Sequence, residues 1–127
     1  MRSIKFNNEV IKFDFSLGCI NDVFVKELGG NFDDLVNMQD YENEPNKLVD
    51  LTRDILLSGH IYWLFVNGED DKAESLLTRI KGSRMVATKW LFEAKIPNVI
   101  SWITQDMMPS DMGQPLVDGG SAKGKKK

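Results

Sequence analysis

The stretch PNKLVDLTRDILLSGHIYWLFV, Pro45 to Val66, decides the fold. Pro45 suits a first helical position, where the proton missing from its nitrogen has no intrahelical partner to lose. Leu48, Leu51, Ile55, Leu56, Tyr62 and Phe65 recur at helical spacing, and Asn67-Gly68 can supply the left-handed residue that ends a helix. From His60 to Val66 the helix is apolar nearly all round, so other elements should surround it. It is open to a bend near Ser58-Gly59, because a glycine weakens a helix interior.

Upstream of this helix, Arg2 to Phe15 reads as a β-hairpin. Ile4 and Phe6, then Ile11, Phe13 and Phe15, alternate with Lys5, Lys12 and Asp14. Asn7-Asn8 can make the tight turn, since Asn tolerates positive φ better than most residues. A two-residue loop places Ile4 opposite Ile11 and gathers Phe6, Ile4, Ile11 and Phe13 on one face. A lone two-stranded hairpin is marginal in water. That face must therefore cover a helix, or the hairpin must pair with another chain along its edge. Ser16 can cap a first helix running to about Leu28, with Leu17, Ile20, Phe24 and Leu28 inward and Gly29-Gly30 as the stop. Phe32 to Met38 suggests a short second helix, and Gln39 to Glu44 an exposed acidic loop.

Downstream, Glu69-Asp70-Asp71 opens a helix that closes with Arg79, Lys81 and Gly82, a charge order that suits the helix dipole. Its inner stripe is Ala73, Leu76, Leu77 and Ile80. Ser83 caps the next helix, which offers Met85, Val86, Trp90 and Leu91 for burial and is interrupted at Pro97. A last helix spans Asn98 to about Met107. From Ser110 onward Gly, Pro, Asp, Ser and Lys dominate, a composition expected to be disordered. The fold class expected is mainly α (α+β): an N-terminal hairpin, a compact bundle of about five to six helices and a disordered tail. In residue terms, 1–109 form one globular domain, with the hairpin over 2–15 and helices over 16–108. Residues 110–127 form a flexible basic tail.

A chain of 127 residues with 42% hydrophobic and 28% charged residues is one ordinary globular domain. The single cysteine, Cys19, cannot form an internal disulfide, and no signal peptide is evident, so a reducing cytoplasm is the expected compartment. The longest apolar run, Ile61 to Val66, is far too short for a bilayer, which needs about 20 residues. The net charge is −3, and four of the 16 basic residues are Lys123, Lys125, Lys126 and Lys127. The acidic body this leaves repels phosphate backbones, which argues against nucleic acid as the main ligand.

Candidate chemistry is sparse. His60 is the only histidine, and His60 with Cys19 lacks the ligand spacing of a zinc site or the surroundings of a Cys–His nucleophile. The acidic clusters at 40–44 and 69–71 do not match a calcium loop. No metal, cofactor or catalytic group is expected. The surplus is apolar: Trp63, Trp90, Trp102, Phe92, Met107, Met108 and Met112 either pack the core or leave a Met- and Trp-rich face for a partner helix.

The hairpin SIKFNNEVIKFDFSLG running into a helix, with several helices after it, resembles the tail assembly chaperones of long-tailed bacteriophages and prophages. Their opening I-x-F-x-x-x-x-x-x-F-x-F hairpin leading into x-L corresponds here to Ile4, Phe6, Phe13, Phe15 and Leu17. The resemblance implies a non-enzymatic protein of the host-cell cytoplasm that coats the tape-measure protein while the tail-tube protein polymerises around it. It also implies self-association, and a longer product made by ribosomal frameshifting, with which the Gly124 to Lys127 ending is compatible. On this reading client contact falls to Trp90, Phe92, Trp102, Ile103, Met107 and Met108. Ile4, Phe6, Ile11, Phe13 and Phe15 serve hairpin packing and self-association. A small adaptor, antitoxin or inhibitor that binds a host protein is the alternative.

Overall fold

The structure, a computed structural model, describes residues 2–107. Strands β1 (Arg2–Phe6) and β2 (Glu9–Phe13) form an antiparallel hairpin in which Ile4 faces Ile11. Asn7 and Asn8 both take positive φ, 50° and 65°, the backbone of a tight turn that matches the twist of the strands. Ile4, Ile11 and Phe13 are buried on the expected face, with Phe6 half-buried at its end.

Helix α2 (Pro45–Val66) has Pro45 in its first turn, and Gly68 beyond it has φ 77°. It packs against β2, the early π-helix and the later helices α3 (Asp70–Ile80), α4 (Met85–Ala94) and α5 (Ile96–Met107). Ile55, Leu56, Leu57 and Ile61 on α2 are fully buried. Gly59 explains how the hairpin reaches so close to a helix: a Cβ there would collide with the Phe15 ring. Asp14 N donates to Gly59 O at 3.0 Å, and His60 Nδ1 lies 2.8 Å from Lys12 O. A carbonyl only accepts, so the imidazole carries its proton on Nδ1. The glycine expected to weaken α2 is thus the seat of Phe15.

The first helix departs from expectation. Cys19–Val25 is a π-helix, and Leu28 N donates to Val23 O at 2.9 Å across five residues. The wider turn brings Cys19, Ile20, Val23 and Phe24 onto α2 and leaves Leu17 60% exposed, not inward. Ser16 makes no cap, and its hydroxyl is buried without a partner among the described residues. The second helix, α1 (Phe32–Val36), starts where the Asn31 side chain accepts from Asp33 N at 2.8 Å. It buries Leu35, with Met38 just beyond it. Part of the expected acidic loop is a 3-10 turn, Met38–Tyr41, in which Tyr41 Oη donates to Asp34 Oδ1 at 2.8 Å.

The break between the last two helices falls at Lys95, with φ 75° and ψ 133°, and not at Pro97. Helix α5 begins at Ile96, so Pro97 lies in its first turn, where proline removes no intrahelical hydrogen bond. Asn98 Nδ2 donates to Ala94 O at 2.9 Å and closes the end of α4. Two arginines tie distant segments together. Arg2 donates to both oxygens of Asp106 at 3.0 Å. Arg84 Nη1 donates to Asp54 Oδ2 at 2.9 Å, while Arg53 Nε donates to Oδ1 of the same carboxylate at 2.9 Å. No helix among the described residues is long and apolar enough to cross a membrane. The expected tail, 110–127, lies outside the described residues.

Candidate client-binding cleft

The sequence puts a basic–apolar–basic series on α3. Lys72, Leu76 and Arg79 stand at i, i+4 and i+7, so they share one helix face. On α4, Met85, Lys89 and Phe92 repeat the spacing with apolar residues outside and a cation between. These helices and the hairpin tip enclose a cleft of about 460 Å³. Leu76 and Arg79 form one wall, Met85, Val86 and Lys89 the other, and Phe6 and Glu9 the end. Its floor is His60, Leu64 and Trp90.

Rings fix that floor. Trp90 meets His60 edge-on with centroids 5.2 Å apart and Phe13 at 6.2 Å. His60 also stacks on Trp63 at 6.3 Å. Burial pushes the His60 pKa below its ordinary 6.5, and the Lys12 carbonyl opposes that shift only in part. The floor is therefore neutral near pH 7, and the charge sits on the rim. Lys72 Nζ is 2.8 Å from Glu69 Oε1. Among the described residues Arg79 and Lys89 have no ion-pair partner.

The residues expected to contact a client scatter. Trp90 lies in the cleft floor, only 5% exposed. Phe92 is 77% exposed on the outer face of α4, in line with Met85 and Lys89. Trp102 is half-buried and stacks on Phe15 with centroids 6.5 Å apart. Ile103 is fully buried, so in this conformation it supports the core and presents nothing to a partner. Met107 is the last residue of α5, and Met108 lies outside the described residues. Among the described residues of the late helices Trp90, Val99 and Ile103 are buried in the core, and two methionines of the Met- and Trp-rich face considered from sequence, Met108 and Met112, lie outside the described residues. Of the hairpin set, Ile4, Ile11, Phe13 and Phe15 are buried and Phe6 borders the cleft.

Lys72 and Lys89 escaped the sequence reading, which took Arg79 for a helix-dipole partner and Leu76 for an inward core residue. The signal that marks them is an apolar residue set between two cations on one exposed helix face. Other chemistry is absent from what is described. Burial holds the Cys19 thiol protonated, its pKa raised well above the ordinary value, with Asp14 adding to the shift. No group of three or more His, Cys, Asp or Glu among the described residues is placed to hold a metal ion. Comparison with protein families, with curated proteins and with solved structures finds no match.

Proposed function

We propose that this chain is a non-enzymatic tail assembly chaperone, which binds the tape-measure protein in the host cytoplasm and keeps it available while tail-tube subunits assemble. The observation that carries the reading is the open, neutral-floored, cation-rimmed cleft between the hairpin tip, α3 and α4. An assembly chaperone needs apolar surface to hold a client and charge to keep the complex dissolved, and it needs no reacting groups. The hairpin motif of Ile4, Phe6, Phe13, Phe15 and Leu17 supports the same reading from the sequence side. Val10 and Leu17, 59% and 60% exposed, supply apolar surface beside the hairpin for self-association. A frameshifted longer product belongs to the proposal as well.

Co-production with the tape-measure protein encoded in the same genome tests it. The proposal expects that protein to move from the insoluble to the soluble fraction and to co-purify with this chain. An unchanged insoluble fraction, together with stoichiometric capture of a host protein, would instead make the chain an adaptor or inhibitor. The coding DNA gives a second check, through a slippery heptamer at Gly124 to Lys127 and an overlapping shifted frame.

A further inference from the structure

The described residues carry 12 basic and 17 acidic side chains, so the folded body is acidic. Around one cleft the sign reverses: Lys72, Arg79 and Lys89 face it, against Glu9 at the hairpin tip and Glu69 paired with Lys72. Glu9 is close enough to Lys72 to help raise its pKa, whereas Arg79 and Lys89 are left without an ion-pair partner among the described residues. The two unmatched cations stand on opposite walls, one on α3 and one on α4, and both are exposed, with the apolar side chains of Leu76 and Met85 on the same walls.

Spacing limits what can satisfy the three rim cations, Lys72 included because its pair with Glu69 is open to water and weak. Lys72 and Arg79 are seven residues apart on α3, about 10 Å along its axis. Cations so separated do not converge on one phosphate or carboxylate. They match several carboxylates carried by one rigid element. A helix with acidic residues at i and i+7 repeats the same 10 Å or so, and an apolar stripe between them would enter the cleft. A neutral apolar helix would cover Arg79 and Lys89 without compensating them, at a desolvation cost. A basic helix would be repelled by both walls.

We infer that the cleft docks an acidic amphipathic helix of a partner protein, carboxylates at i and i+7 toward Lys72 and Arg79, a further carboxylate toward Lys89, and apolar side chains over Leu76, Met85 and Trp90. This rests on the chaperone reading and specifies which segment of a client is held. The exposed Phe92, one turn beyond Lys89 on the same face of α4, extends the apolar track past the cleft. Binding of this kind weakens with salt, since the rim charges are open to water.

The test uses the full chain and two synthetic helical peptides of about 18 residues, long enough to span five turns. Both carry the same Leu stripe; one has Glu on its polar face and the other Lys. Fluorescence anisotropy of labelled peptide should show the Glu peptide binding at least about ten-fold tighter, with the difference shrinking at high salt. The double variant Arg79→Glu, Lys89→Glu should lose that preference by about ten-fold or more, with an unchanged thermal midpoint, because both side chains are exposed or at the rim. Equal affinity for the two peptides, or full Glu-peptide binding by the double variant, would overturn the inference. So would a dimer of the chain that the double variant dissolves, since the occupant would then be a second copy. If the double variant still solubilises tape-measure protein, the cleft inference fails and the chaperone reading stands. If the Glu peptide binds through the cleft but tape-measure protein stays insoluble, the chaperone reading fails alone.

Discussion

Single residues set the fit between hairpin and helix. Gly59 admits the Phe15 ring where any side chain would collide. Gly59→Ala gains helix propensity of about 1 kcal/mol, but the overpacking it forces costs about 1–3 kcal/mol. A net loss of stability is therefore expected, read as a lower urea midpoint with an unchanged m-value. His60 makes the same contact sensitive to pH. Its folded-state pKa lies below the ordinary 6.5, so the folded protein favours the neutral ring. The stability this supports is complete above about pH 6.5, the unfolded value. It declines as pH falls below that value and levels off once pH passes the depressed folded one. His60→Gln should flatten the part of the stability–pH curve that begins near 6.5, measured by urea titration at several pH values. An identical curve would show that His60 is not the group responsible.

Elements were legible wherever local chemistry and tertiary packing agree. Pro45 and Asn67-Gly68 bracket α2 in sequence and in structure, and Asn7-Asn8 marks a turn that does have two positive φ values. The π-helix was not legible. Its apolar residues also fit a 3.6 period, and what selects the wider turn is the surface of α2 and the hairpin against which Cys19 and Phe24 pack. The break at Lys95 was hidden for another reason. Lysine carries no signal for positive φ, and Pro97 two residues later drew the boundary to itself. Strain at that position gives a prediction: Lys95→Gly should relieve about 1–2 kcal/mol, since only glycine is at ease there. The thermal midpoint should rise, and a fall would mean that the Lys95 side chain makes a contact outweighing the strain. At the hairpin the converse holds. Replacing Asn7-Asn8 by Ala-Ala should cost about 1–2 kcal/mol at each position, because alanine has no side chain to support the left-handed backbone.

At the scale of the whole molecule, α2 is the post around which the hairpin, the π-helix and α3 to α5 are arranged. The cleft exists only as a product of that arrangement, since its walls are α3 and α4 and its end is the hairpin tip, some 60 to 80 residues earlier in the chain. Sequence reading named Trp90 and Phe6 but did not bring Lys72, Arg79 and Lys89 together, because nothing local shows that separate helices turn these charges toward one space. Three other client-contact expectations divide between core (Ile103), half-buried packing (Trp102) and an exposed position beside the cleft (Phe92), while Met107 ends α5 and Met108 lies outside the described residues. On the function proposed above, this surface holds helices, and its charge pattern is what would select among them. The measurement that tests this most directly is co-production with the tape-measure protein of the same genome, followed by size-exclusion chromatography of the soluble fraction. A chaperone of this kind gives a soluble complex in which both chains elute together. Tape-measure protein that stays insoluble, with this chain eluting alone, would contradict the chaperone reading.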